Sequence, residues 1–189
     1  MPAVFLYSDP HFSHSGMCKF TKKDGTKVRP WTDTAEMDDE LVRRFNERVS
    51  VNDKVYFLGD VVINRKGLKV LGRLNCKNLV LIKGNHDIFQ LDDYTPYFRD
   101  IRGYHVMKGV ILSHIPIHPD SLGRFGAQIH GHLHTDRVMM DGVAGDKVID
   151  PRYLSVCVEQ IDYTPILLED AFKRIIDQGG SIDFQKHGN

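Results

Sequence analysis

Asn78–Asp87 reads NLVLIKGNHD. Its first half, Leu79, Val80, Leu81 and Ile82, is an unbroken apolar run of strand length, the form of a strand buried on both faces. Its second half stops that strand at Gly84 and sets an amide, an imidazole and a carboxylate side by side: Asn85, His86 and Asp87. Open α/β sheets place their ligand sites beyond the carboxyl ends of their strands. The reading of the fold therefore turns on whether other strands end the same way.

They do. AVFLYSD ends on Asp9, with Pro10 and His11 behind it, and KVYFLGD ends on Asp60. GVILSH ends on His114, AQIHGHLH runs into His130, His132 and His134, and YLSVCVEQ ends polar. Each run has the β-branched and aromatic content of a buried strand. Between the first two, TAEMDDELVRRFNERV repeats an apolar residue every fourth position at Met37, Leu41, Phe45 and Val49, with Val42 beside them. Acids cluster at its start and Arg43, Arg44 and Arg48 toward its end, the charge order that suits a helix dipole. KGLKVLGRL and LLEDAFKRIIDQGG read as further helices, the second stopped by Gly179. Early strands alternate with helices and later ones follow each other, so the expected class is α/β, with helices covering stacked sheets.

Composition narrows the function. A chain of 189 residues favours one domain over 1–189 and can bury a core without disulfides. Lys+Arg and Asp+Glu balance at 25 each, which speaks against a protein built for extended nucleic acid or a charged membrane surface. No apolar run approaches the ~18 residues of a membrane span. MPAVFLYSD has neither a basic start nor a small-residue cleavage site, so no signal peptide is expected. Cys18, Cys76 and Cys157 are odd in number and far apart, and read as reduced thiols in a cytoplasmic protein.

The stretch IHGHLHTD, Ile129–Asp136, places histidines at every second position. In an extended strand His130, His132 and His134 would share one face, with Gly131 and Leu133 on the other. Such a face is a solvated edge, a set of packed rings or a ligand set, and the stretch alone leaves all three open. With the other strand ends it joins a set of carboxylates, an amide oxygen and imidazoles. That mixture suits borderline divalent metals such as Mn, Fe, Co, Ni or Zn, and lacks the thiolates of a structural zinc site.

Five blocks now stand in order: Asp9-x-His11, Gly59-Asp60, Gly84-Asn85-His86-Asp87, His114, and Gly131-His132-x-His134. Together they resemble the calcineurin-like metallophosphoesterases, over about two-thirds of the chain. SDPHFSH at Ser8–His14, Arg29-Pro30-Trp31 and SVCVEQIDYTPI are similar to the small bacterial and phage-type members. The resemblance implies a four-layer α-β-β-α sandwich, two stacked mixed sheets flanked by helices. It implies two divalent metals, manganese foremost, with Asp9, His11 and His134 on the first, Asn85, His114 and His132 on the second, and Asp60 bridging. It implies that His86 serves catalysis and that hydroxide generated between the metals attacks phosphorus. His130 has no role in the pattern and reads as a packing residue first and an outer partner of the metal ligands second, and Asp87 as either an orienter of the His86 ring or a turn residue.

His14, Arg65, His118 and Arg124 are candidates for phosphate contacts, His14 equally readable as a hydrogen-bonded loop histidine and the other three more readily as residues without a site role. His105 and His187 read as surface or packing residues. The basic segment Phe12–Asp33 reads as either a solvated loop or a substrate-facing lid. The implied activity is a phosphodiesterase, with a phosphomonoesterase second, acting on a small phosphorylated substrate such as a nucleotide. GDVVINRKG and GNHD depart from the G-D-x-V-D-R-G and G-N-H-E of phosphoprotein phosphatases and count against that substrate class. Retromer's phosphoesterase-like subunit uses this fold as a scaffold, so a non-catalytic interaction module is the alternative of a different class.

Overall fold

The structure is a computed structural model and describes residues 2–183. Its first sheet has the order β11-β1-β2-β3-β4, from strands Val4–Tyr7 (β1), Lys54–Phe57 (β2), Asn78–Ile82 (β3), Asp100–Arg102 (β4) and Ile166–Leu167 (β11). β1 to β4 run parallel and β11 closes the edge antiparallel to β1. The second sheet has the order β10-β7-β6-β5, from Tyr104–Met107 (β5), Val110–Ser113 (β6), Ala127–His130 (β7) and Tyr153–Ser155 (β10). Here β6, β7 and β10 are parallel, while β5 pairs antiparallel with β6 in a hairpin turned at Lys108 and Gly109, both at positive φ. The fold is thus mixed α/β with several sheets and helices.

Helix α1 spans Thr34–Arg48; Asp33 caps it by accepting from the Glu36 amide, and Met37, Leu41, Val42 and Phe45 are buried. One polar residue on it is also buried. Asp38 accepts from the Ser13 amide at 2.8 Å and the Ser13 hydroxyl at 2.6 Å, tying the helix to the chain just after His11. Helix α2, Arg65–Leu71, begins one residue before its expected run and is capped by Asn64; α3 is a single turn at Leu91–Tyr94. Helix α4, Leu168–Asp177, buries Leu168, Ala171, Phe172 and Ile175 and packs against β1, β10 and β11. Gly179 follows it at φ 95°, a left-handed position that glycine takes without a side-chain clash.

A separate two-stranded ribbon, Met139–Asp141 (β8) and Lys147–Ile149 (β9), follows the last histidines and is exposed throughout. Short, exposed strands carry no burial periodicity, so VMMD and KVI give no sequence signal. Among the described residues no helix is long and apolar enough to cross a membrane. The three cysteines are buried and unpaired.

Candidate metal centre

The parallel strands β1, β2, β3, β6 and β7 all deliver their polar residues at the same end. Asp9, His11 and His134 form one group and Asp60, His114 and His132 another, with ligand atoms within 4.8 Å of one another in each. Asn85 joins the second, its Oδ1 lying 3.0 Å from His114 Nε2. Asp60 lies between the groups: its Oδ2 is 3.7 Å from His11 Nε2 and 3.2 Å from His114 Nε2.

The way the chain presents these groups differs from a strand face. β7 ends at His130, and His132 and His134 have φ of 71° and 51°. The alternation expected for IHGHLHTD does not exist beyond His130. Asp9, His11 and Asp60 share the left-handed backbone, with φ of 58°, 48° and 52°. Five of the seven expected ligands therefore occupy a conformation that L-residues avoid, at a cost of roughly 1–2 kcal/mol each. Such strain persists only where the surroundings enforce it, and it concentrates at functional sites. Two neighbours supply the room. Gly59, at φ 91°, lies so close to His114 and Gly84 that an added Cβ would sit 2.6 Å from His114 Nδ1. Gly131 likewise leaves no space for a side chain beside Ser8 and Asp9.

The hydrogen bonds aim the rings. His114 Nδ1 lies 2.7 Å from the Leu58 carbonyl. A carbonyl only accepts, so Nδ1 carries a proton, and Nε2 is the nitrogen turned toward Asn85 Oδ1 and Asp60 Oδ2. His134 Nδ1 lies 3.1 Å from Glu159 Oε1, which leaves its Nε2 directed at Asp9 Oδ1, 3.9 Å away. Asp9 Oδ2 accepts from the Ser8 hydroxyl, the His132 amide and the Cys157 thiol. Asp9 Oδ1 and both ring nitrogens of His11 are buried with no partner. Buried polar atoms are normally paired, so Asp9 Oδ1 and His11 Nε2, orphans 3.8 Å apart, mark a place for a cation.

Burial raises the Asp9 carboxyl above the usual carboxylate range and holds the His11 ring well below its ordinary value, which keeps a neutral, ligating imidazole. For His114 and His134 burial also opposes the charged ring. It is outweighed by the Asp60 hydrogen bond at His114 and by Glu159 at His134, so both are raised. Burial would raise Glu159 too, but Arg29 and His134 hold it down at about 2.

His86 stands outside both groups. Its amide donates to Asp60 Oδ1 at 2.8 Å, and its ring centroid is 5.6 Å from that of His11. His14 is also beside His11, at 5.7 Å between centroids, with a buried, unpartnered Nδ1. Arg65 makes a two-bond ion pair with Asp93 and lies over Phe89. His118 caps the short helix Pro119–Arg124, and Arg124 ends it; among the described residues no hydrogen bond or ion pair joins either to the two groups. His130 is buried, with Nδ1 on the Gly131 carbonyl at 2.7 Å, and His105 stacks on Tyr56. His187 lies outside the described residues.

Asp87 does not orient the His86 ring. Its carboxylate accepts from the amides of Asp60, Val61 and Gly84, which clamps the Asp60 loop to the GNHD loop. The segment Phe12–Asp33 divides: Lys19, Lys22, Lys23 and Lys27 are exposed, whereas Arg29 is 1% exposed. Arg29 donates to the carbonyls of Asp9 and Pro10 and to Glu159 Oε1. Arg29 and Glu159 are functional candidates that residue-by-residue reading passed over. Their signal was present in RPW and SVCVEQ, but nothing in either stretch says that the two meet across 130 residues.

No family model matches the chain. It is 32% identical over 185 residues to uncharacterized protein MJ1445 of Methanocaldococcus jannaschii, covering 95% of this chain and 94% of that one. The chain belongs to that protein's family. The crystal structure of AQ665, a protein of unknown function from Aquifex aeolicus, superposes with a TM-score of 0.65 at 21% identity, covering 92% of this chain and 99% of that one, and shares the fold. Vacuolar protein sorting 29 from Cryptosporidium parvum aligns over 82% of this chain and 72% of its own at a TM-score of 0.39 and 18% identity, too loosely to bear on function.

Proposed function

We propose that the protein is a calcineurin-like, metal-dependent phosphoric ester hydrolase with the α-β-β-α layering of that fold, a phosphodiesterase first and a phosphomonoesterase second. The observation that carries the reading is the meeting of two ligand groups at one carboxylate, Asp60, with unpartnered atoms of Asp9 and His11 turned into the same crevice. Asp9, His11 and His134 would hold one divalent cation and Asn85, His114 and His132 the second, with Asp60 shared. Carboxylate, amide and imidazole donors fit manganese, and also Fe, Zn, Ni or Co. When bound, the pair would supply Lewis-acid stabilisation of the phosphoryl oxygens and acidify water.

The chain's own groups do the rest. Leu58 and Glu159 fix the protonated nitrogens of His114 and His134, so that both rings offer Nε2 without rearrangement. Asp60 holds the His86 amide, which keeps that ring at the edge of the crevice, where it would protonate the departing oxygen. His14, beside His11, is available to the phosphate. The balanced charge favours a small phosphorylated substrate over extended nucleic acid.

The test is hydrolysis of bis(p-nitrophenyl) phosphate and p-nitrophenyl phosphate after manganese loading, alongside elemental analysis. Two metals per chain and faster turnover of the diester are expected. Two metals with no hydrolysis of either ester, or a folded chain that takes up no metal, would end the hydrolase reading and leave the scaffold reading.

A further inference from the structure

Next to the candidate metal centre a groove of about 430 Å³ runs over the ends of β3 and β6. Gly84, Asn85 and His114 are part of its lining, so it is continuous with one ligand group. Its volume lies within the ~300–1,000 Å³ of small-molecule sites. Tyr104, Ile115, Ile117 and Lys83 also line it. Tyr104 is 61% exposed and Ile115 51% exposed, two large apolar side chains left in water beside a polar site. The chain crosses from the first sheet to the second at Gly103, between β4 and β5, and a Cβ added there meets no atom within 4 Å. The Ser113 hydroxyl in the lining is already committed, donating to the Ile115 carbonyl and accepting from Gln128 Nε2.

The groove therefore offers apolar surface and an aromatic face, and its lining includes Asn85 and His114, which would belong to the group that holds a cation. It is open to solvent. An acyl chain laid in it would keep much of its apolar surface wet, whereas a planar heterocycle stacks its faces and leaves its polar edges hydrated. We propose that this groove receives the nucleobase of a nucleotide phosphoester, with Tyr104 as the stacking face. The proposal rests on the phosphoesterase reading and names the substrate class of that site.

Two diesters with one leaving group test it: p-nitrophenyl thymidine 5′-phosphate and methyl p-nitrophenyl phosphate. The manganese-loaded protein is expected to show a KM ~10-fold lower for the nucleoside ester. Tyr104→Ala, which removes the face, and Gly103→Leu, which adds bulk to the lining at a position where a Cβ meets no atom, should each raise that KM to the level of the methyl ester and leave turnover of the methyl ester unchanged. Equal KM values in the parent protein, or variants that affect both esters alike, would overturn the proposal.

Equilibrium dialysis of thymidine 5′-monophosphate against the metal-free protein separates it from the reading beneath it. Loss of that binding in both variants without hydrolysis of either ester would keep the groove and remove the phosphoesterase. Hydrolysis of both esters at equal KM, with nucleotide binding untouched by either variant, would do the reverse.

Discussion

The two ligand groups face each other across Asp60 but are held by different means. In the group of Asp9, His11 and His134, orientation comes from a buried ion pair: Arg29 holds Glu159, and Glu159 holds the His134 ring. In the group of Asp60, His114 and His132, it comes from the backbone, through the Leu58 carbonyl on His114 Nδ1. A backbone carbonyl is in place once β2 has formed. The Arg29–Glu159 pair is in place only when a loop near the start of the chain packs on a turn near its end. Both contacts are long-range, but one half of the centre is oriented by a main-chain group and the other by a side-chain pair that spans 130 residues.

The substitution expected to erase the difference is Asp60→Ala. Without the shared carboxylate two cations would repel each other at short range in a poorly screened crevice. Metal content should fall at both groups and turnover should fall to background. Full occupancy by elemental analysis with near-normal turnover would show that the two halves do not depend on Asp60.

His86→Ala leaves both groups intact, so the metals should stay while the rate falls by ~10²–10⁴ on esters with basic alkoxide leaving groups. Nitrophenyl esters, whose leaving group needs no proton, should lose far less. An equal loss on both would mean that His86 holds phosphate oxygens and donates no proton.

Glu159→Gln sharpens the contrast directly. Removing an outer partner of a ligating histidine typically weakens metal binding by ~10–100-fold. Calorimetric titration of the metal-free variant should show one weakened and one unchanged site; two weakened sites would break the comparison. The same variant carries a pH signature. Glu159 lies near 2 when folded and near the ordinary carboxylate value when unfolded, so its stabilisation is complete above that ordinary value and is lost as pH falls toward 2. Urea unfolding below pH 4.5 should therefore be less pH-dependent in the variant than in the parent.

The smallest effect belongs to His130, the histidine of IHGHLHTD that lies outside both groups. Burial lowers its ring to about 4, against 6.5 unfolded. The folded state excludes a proton that the unfolded state binds, so stability falls as pH drops from 6.5 to 4, by at most about 1.4 kcal/mol per unit. In the metal-free protein His130→Gln should flatten that slope, whatever its effect on overall stability; an unchanged slope would mean that the ring does not titrate in this range.

The strands were legible because burial on both faces leaves apolar runs, and their ends because the polar residues interrupt those runs abruptly. NLVLIKGNHD and KVYFLGD carry both signals, and the strands β2 and β3 end where these runs do. IHGHLHTD was read on the wrong principle. Its period of two suggested a strand face, whereas left-handed backbone at His132 and His134 turns each ring separately. Residue type does not encode φ for a histidine as it does for a glycine. Asp87 shows the same limit, since a carboxylate after a histidine looks like its partner and is here a clamp on three amides.

By itself the sequence determined the α/β class, the strand ends that carry the chemistry, and the kinds of donor atoms available, because apolar periodicity and residue identity are local properties. Only the tertiary structure decided which donors share a crevice, which histidine nitrogen is free, that Arg29 and Glu159 support His134, and that an apolar groove adjoins Asn85 and His114. Those features are made by residues far apart in the chain, and no local pattern records a distance between them.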